Sequence, residues 1–540
     1  MAEPRIEETM MKVMFIEPSF PEVPTADVVF PFNYACLGAV LQRAGHQVEY
    51  VFPAANHLST QDVVNQLAKT DSKLIGIGGL LPYLPAIIKF VELAIAARPD
   101  IPIVLGGPMV TYMPELVLKK TSADFCVAGE GEIALLKFVN SLEKGEDYSN
   151  ILGLVFRRDG QIINNGMGEV MPFEEIPMPN WNDFPMEYYM YSDWYLPKWS
   201  RKKKESVVAW LVSRGCPMKC NFCASGCEPR YKTVEQAMAE LREIVERFDP
   251  DYVMFVDNFL TPNRKYTTEF CEALIANRFH FKFSITARVN IVNPELLALL
   301  KKAGCQMIFY GLECANNEIL KFMKKGITVE QATKAIEMTK KAGIYPMVSI
   351  MFGQPGETFD DFFNSLRIAL MTTDPADPAP NIASVMPVLT FPGTGIYQYA
   401  KEHGYFTDDE DYWSKYGGDF RIRYIDYWDE AIGIAYAMYR WKYHQSMADH
   451  LVKSLLRQKS PYFNLQYSVA RFLKAHPRIT KILAPLLGPQ RLYTLDHMQE
   501  VSPDQERARK EQARQFVDRC LTELVGLRKR KNLRTQEWTE

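Results

Sequence analysis

Cysteine is scarce in this chain, ten among 540 residues, too few for a disulfide scaffold. In a reducing compartment such thiols stay free to bind metal. Long apolar runs are missing too. The longest stretch, Leu74 to Ala97, is interrupted by Pro82, Pro85, Lys89 and Glu92, so no membrane-spanning helix is expected. The N-terminal sequence MAEPRIEETMMKVMFIEPSF carries acidic residues and one short apolar run, without the basic, apolar and cleavage regions of a secretory signal. A cytoplasmic location is the expectation. Neither sign of charge dominates: 62 basic against 65 acidic residues leave a formal charge of -3, which gives no electrostatic reason to expect a nucleic-acid partner. Solenoid repeats and low-complexity tracts are likewise absent. What is present is a globular composition, 47% hydrophobic and 24% charged, in a length that suits two or three domains.

From Lys12 to Leu142, short apolar runs alternate with helical patterns: KVMFIEP, QVEYVF, KLIGIGG, IPIVLGG and DFCVAGE. That alternation predicts an α/β domain over residues 12–145, a doubly wound five-stranded parallel sheet. Gly78-Gly79, Gly106-Gly107 and Gly129-Glu130-Gly131 each fall just after a predicted strand, at the edge where open α/β sheets bind ligands. Tight strand-to-helix turns would explain any one of them; three at equivalent places point to one crevice. Residues 146–200 read as a hairpin around Asp159-Gly160 followed by a Pro- and aromatic-rich tether on the surface, Met171 to Trp199.

After the tether the alternation restarts. SVVAWLVS, YVMFVD, FKFSIT, QMIFYGL, YPMVSIMFG and NIASVMPVL predict an incomplete (βα)6 parallel barrel over residues 201–393. Residues 394–540 lose the pattern and are expected to be mainly helical and related to substrate, with a long helix from Asp426 to Leu456 and a charged helix from Pro503 to Lys529. Trp413, Tyr416, Tyr424, Tyr427, Trp428, Tyr436, Tyr439, Trp441 and Tyr443 could line a pocket for a large apolar molecule or simply pack a helical core. KILAPLLG, flanked by Arg478, Lys481 and Arg491, could rest on a membrane surface. The basic cluster Arg528, Lys529, Arg530, Lys531 and Arg534 reads as a solvated end.

The most informative residues are Cys216, Cys220 and Cys223 in SRGCPMKCNFCASGC, just after the first strand of the second α/β set. A loop with three thiolates can wrap one metal ion or one face of a cluster. Structural zinc closes with four protein ligands, whereas a cubane 4Fe-4S cluster held by three cysteines leaves one iron open. Cys227 could be a fourth ligand that closes the site, but no His or Cys pair follows at zinc-finger spacing.

CxxxCxxC with an aromatic at Phe222 resembles the radical S-adenosylmethionine (SAM) superfamily, and the resemblance covers Ser206 to Pro392. It implies a 4Fe-4S cluster on Cys216, Cys220 and Cys223, with SAM chelating the open iron and reductive cleavage of SAM giving a 5′-deoxyadenosyl radical. An external one-electron reductant of flavodoxin or ferredoxin type is then required. By the same resemblance Phe222, Asp257, Arg288, Glu313 and Gly353, the last in GQPGE, surround SAM at the ends of successive strands. Asp257 could instead cap a helix, and Arg288 could pair structurally with Glu313.

The first domain resembles the cobalamin-binding domain of cobalamin-dependent radical SAM enzymes, with Gly78, Gly79, Gly106, Gly107, Gly129, Glu130 and Gly131 at the corrin edge. DxHxxG, the motif of a histidine ligated to cobalt, is absent, since neither His46 nor His57 has an Asp two residues before it. The methylthiotransferases place three cluster cysteines in this region, where only Cys36 and Cys126 occur. The resemblance therefore implies a methyltransferase acting on an unactivated carbon, or phosphorus, centre of a small molecule. Two alternatives stand beside it: a non-methylating enzyme such as the anaerobic oxidative cyclases of porphyrin biosynthesis, and a non-catalytic cobalamin or redox sensor.

Overall fold

The computed structural model describes residues 10–19, 30–79, 83–191, 205–224, 227–372, 382–416, 420–428 and 431. Residues up to Tyr424 form one compact unit, and a second begins at Ile425. The long helix from Asp426, the tail helix, the KILAPLLG patch, the basic cluster and Tyr436, Tyr439, Trp441 and Tyr443 lie outside the described residues or almost wholly so.

The five predicted N-terminal strands form where the apolar runs placed them: β1 (Lys12–Ile16), β2 (Gln47–Val51), β3 (Leu74–Gly78), β4 (Ile103–Gly106) and β5 (Phe125–Val127). β3 and β5 are buried throughout, as strands covered by helices on both faces must be. The sheet runs β2-β1-β3-β4-β5 in parallel and then continues. The hairpin strands β6 (Leu154–Arg158) and β7 (Gln161–Asn164) add on antiparallel, β6 pairing with β5 through Phe125↔Phe156. The sheet therefore has seven strands, not the five expected, because Leu154, Val155 and Phe156 bury fully against its core and carry the predicted hairpin onto its edge.

The tether also departs from expectation. Trp181 is 2% exposed, with its ring centroid 5.4 Å from Phe30 of the first domain and 5.2 Å from Trp210 of the second. Burial of that aromatic area draws the segment into the seam between the two sheets.

The second sheet begins with β8 (Val207–Trp210). A small hairpin of β9 (Ser213–Cys216) and β10 (Cys227–Tyr231) follows, and then come β11 (Tyr252–Phe255), β12 (Lys282–Ala287), β13 (Cys305–Glu313), β14 (Tyr345–Phe352) and β15 (Ile382–Pro387). The order β15-β14-β13-β12-β11-β8 is wholly parallel. This is the half-barrel that the six repeats predict. Its helices start on capping side chains, among them Thr233, Asn263, Asn293, Asn316, Thr328 and Thr358, which fixes where each strand-end loop turns back. No described helix is long and apolar enough to cross a membrane.

The segment after the barrel does not stay with the C-terminal region. Helices Gly395–Glu402 and Asp409–Tyr416 bring Tyr397, Ala400, Phe406, Tyr412, Phe420 and Ile422 into the same apolar core as Ile87, Phe90, Val91 and Leu116 of the first domain. Trp413, Tyr416 and Tyr424 pack against that core, so these aromatics serve packing.

Candidate active site

The cysteine loop leaves the end of β8 through a bend tied to Asp257. That carboxylate, 2% exposed, accepts from the Val212 N–H at 3.0 Å, from the Ser213 hydroxyl at 2.5 Å and from the Ser213 N–H, all on Oδ1. Burial raises its pKa to about 6 against these hydrogen bonds. Asp257 thus orients the strand that enters the loop rather than capping a helix.

Gly215 on β9 has a φ of +93°, and a Cβ there would come 2.7 Å from the Glu228 carbonyl and 3.0 Å from Cys227 Sγ. Only glycine allows this close pairing. Cys216 and Cys220 are partly buried, and Cys223 is exposed. The Cys216 thiol is pushed up by burial and by the neighbouring Cys223 and Cys220 thiols, while Arg288 opposes the rise. Arg288 Nη1 lies 4.0 Å from Cys220 Sγ. Three thiols and a guanidinium therefore share one end of the half-barrel. Cys227 lies on β10, directly opposite Cys216 in the antiparallel pair. Among the described residues no three His, Cys, Asp or Glu side chains are placed to hold a single metal ion.

The loop is braced from below. The Asn221 N–H donates to the Met323 carbonyl at 2.9 Å, and its side-chain amide donates to Phe322 at 2.8 Å. Lys325, just beyond, ion-pairs with Glu313 at 2.7 Å, both side chains about a tenth exposed. Its ammonium also sits 5.6 Å from the Phe222 ring centroid, a cation–π distance. Glu313 holds a left-handed φ of +66° beside a register shift in β13. Arg288 donates to the Lys325 carbonyl, so the partner of Glu313 is Lys325, not Arg288. Gly353 opens a turn closed by Glu357, whose carboxylate accepts from the Gly353 and Gln354 N–H groups at 2.6 and 2.9 Å.

Across the first sheet a cavity of about 330 Å³ opens at the ends of β1, β3 and β4, lined by Gly78, Gly79 and Gly107 with Glu17, Tyr188 and Tyr189 among others. It lies where the strand order reverses between β1 and β3, the usual ligand edge of a doubly wound sheet. A Cβ at Gly107, φ +101°, would overlap the Gly79 backbone, so this close approach of the two turns requires glycine at 107. Burial raises Glu17 to about 7. Gly106, Gly129, Glu130 and Gly131 do not line the cavity. Glu130 instead pairs with Arg214 and Arg230 of the cysteine hairpin, and Gly131 faces Leu37.

Lys325, Glu17 and Tyr112 escape sequence reasoning. Lys325 sits in KKG and Tyr112 in a short turn, both of which read as surface. The Tyr112 hydroxyl donates to the Ala224 carbonyl, next to Cys223, at 2.8 Å.

The residues present fit the two implied groups. Three thiols on one loop, with a cation at Cys220, suit a cluster held at three corners, and an apolar cavity between close-approaching glycine turns suits a corrin at the sheet edge. The model of the Radical SAM superfamily matches residues 210–369, and that of the B12 binding domain matches residues 25–139. An uncharacterized methyltransferase of Pyrococcus horikoshii is 27% identical over 378 residues, 68% of this chain and 78% of that protein. The anaerobic magnesium-protoporphyrin IX monomethyl ester cyclase of Rubrivivax gelatinosus is 27% identical over 374 residues, 66% of this chain and 65% of that protein. In structure, the radical S-adenosylmethionine methyltransferase TsrM of Kitasatospora setae, solved with cobalamin and a 4Fe-4S cluster, aligns with a TM-score of 0.59 at 16% identity over 74% of this chain and 80% of its own.

Proposed function

We infer that this chain, a radical SAM enzyme with a B12 binding domain ahead of its barrel, is a cobalamin-dependent methyltransferase for an unactivated carbon centre of a small molecule, with phosphorus as the secondary target. When bound, the cluster supplies reductive cleavage of SAM and cobalamin supplies a methyl carrier. The observation that carries the reading is the joining of two ligand edges in one compact unit: Tyr112, at the end of the turn that starts at the glycine cavity, touches the cysteine loop. A carrier and a radical source so placed can act on one substrate without diffusion between them.

The chain's own groups divide the work. Cys216, Cys220 and Cys223 hold three corners of the cluster. Arg288 and Lys325 set positive charge beside the loop, where the carboxylate of SAM needs it, and Lys325 fixes the direction of Glu313. Phe222 and the apolar strand ends keep water away from reactive species. Gly353 gives the backbone room to approach SAM. Gly78, Gly79 and Gly107 form the cavity for cobalamin. The P. horikoshii relative, aligned over more of its own length than the cyclase is, favours methyl transfer over ring closure.

Anaerobic protein reconstituted with iron, sulfide and cobalamin, then given SAM, a one-electron reductant and a pool of small molecules as methyl acceptors, is expected to release 5′-deoxyadenosine and S-adenosylhomocysteine together, and one acceptor to gain one methyl mass. 5′-Deoxyadenosine without S-adenosylhomocysteine and with no added carbon would replace the methyltransferase by the oxidative cyclase. Failure to cleave SAM at all would leave only a sensor.

A further inference from the structure

The two cofactor regions are tied by more than proximity. One turn of helix, Pro108–Tyr112, follows directly on Gly107, and its first residue lines the glycine cavity. Thr111 within it donates to the Gly107 carbonyl and accepts from the Gly129 N–H, each at 3.1 Å, which ties the turn to the ends of β4 and β5. Its last residue, Tyr112, donates to the Ala224 carbonyl in the cysteine loop.

The far face of the Tyr112 ring rests on Gly393, where φ is +79° and any Cβ would overlap the ring. Two residues on, Gly395 packs on the Asn221 backbone and the Ile396 N–H donates to the Asn221 carbonyl at 2.9 Å. The cysteine loop is thus gripped at Asn221 and at Ala224 by groups that meet at Gly393. One end of this grip begins in the cavity wall.

We propose that the turn Pro108–Tyr112 couples the two cofactor sites, so that a corrin filling the cavity tightens the cysteine loop on its cluster, with Tyr112 as the positioning residue. The inference rests on the cofactor assignment above and goes beyond it, because it concerns how each site changes the other. Whatever filled the cavity would fix Pro108, and a short turn anchored at Thr111 passes that restraint on as a rigid piece. Coupling of this kind is reciprocal in binding free energy: cobalamin must tighten the hold on the cluster by the factor by which the cluster tightens cobalamin.

The test needs no turnover. Anaerobic, cluster-loaded protein is mixed with an iron chelator, with and without hydroxocobalamin, and iron release is followed by absorbance. Cobalamin affinity is titrated separately on cluster-loaded and cluster-free protein. Cobalamin is expected to slow release, and the cluster to tighten cobalamin about fivefold at equilibrium. Tyr112→Phe, which keeps the ring on Gly393 and loses one hydrogen bond, should retain about half of the logarithm of that effect. Tyr112→Ala should abolish it while iron and cobalt contents stay at wild-type levels. Gly393→Ala, which displaces the ring with Tyr112 intact, should match Tyr112→Ala.

Release rates that ignore cobalamin in the wild type, or a Tyr112→Ala protein with full slowing, overturn the coupling while the cofactor assignment stands. A wild type that takes up no cobalamin or no iron overturns the assignment and the coupling with it.

Discussion

Lys325 carries more of the site than its surroundings in sequence suggest. Its ammonium pairs with a buried carboxylate on a residue held at positive φ, and it also faces the ring of Phe222. Removing one member of a buried pair strands the other charge, at a cost of about 3–5 kcal/mol. Lys325→Met is therefore expected to lower unfolding free energy by that order in denaturant titration and to weaken SAM binding in equilibrium dialysis. Lys325→Arg should restore most of the stability. Sequence reasoning misses this residue because a lysine in KKG beside an amphipathic helix has the same pattern as a solvated one; only the fold brings it back to Glu313. Asp257, by contrast, is recognisable at its strand end, though its role differs: it shapes the backbone entering the cysteine loop. Its pKa, raised to about 6 by burial, makes the folded chain hold a proton that the unfolded chain releases near pH 4. Stability from this group therefore declines as pH rises from about 4 to 6 and is level above, a span of about 3 kcal/mol. Asp257→Asn should remove that slope from the difference between the two stability curves, while keeping an oxygen to accept from Val212 and Ser213.

The β9–β10 hairpin shows how one element sets the site. Its strands are short and irregular, with a register shift between Cys227 and Arg230, and their closest approach depends on Gly215. Gly215→Ala is expected to force the strands apart, because the added carbon meets backbone oxygen at 2.7 Å and the φ is unfavourable to any side chain. The expected outcome is protein that folds with less than half the wild-type iron after reconstitution, read by iron analysis and by the visible absorbance of the cluster. The cysteine spacing was plain in the sequence because CxxxCxxC is local. The hairpin around it was not, since its pairing spans the loop, and two strands of four and five residues leave too little alternation to detect. Likewise the turn at Asp159-Gly160 is evident from its residues, yet nothing local says that β6 pairs with β5. Alternation marks a strand; it does not name the neighbour.

The same distinction governs the whole molecule. Both parallel sheets follow from the order of apolar runs, and their separation into two cofactor regions follows from the restart after the tether. The return of residues 394–424 to the first domain does not. Loss of the βα pattern near Thr394 looks like the start of a new region, whereas Tyr397, Phe406 and Tyr412 bury themselves beneath the N-terminal sheet's helices. Tyr412 is fully buried, its hydroxyl donates to the Thr390 carbonyl, and its ring lies 4.7 Å from Tyr397 and 4.9 Å from Phe406. Tyr412→Ala would empty a ring-sized volume in the core that residues 394–424 share with the first domain, a loss of about 3–5 kcal/mol. If that core were only a local appendage, the variant would release residues 394–424 alone and leave cobalamin retention unchanged. Because the returning helices complete the packing of Ile87, Phe90 and Leu116, the expected result is a fall in the main unfolding transition of residues up to 424, together with faster loss of cobalamin in gel filtration. The segment that follows the barrel thus holds up the domain before it, and loss of its packing is expected to reach the cobalamin cavity through that domain.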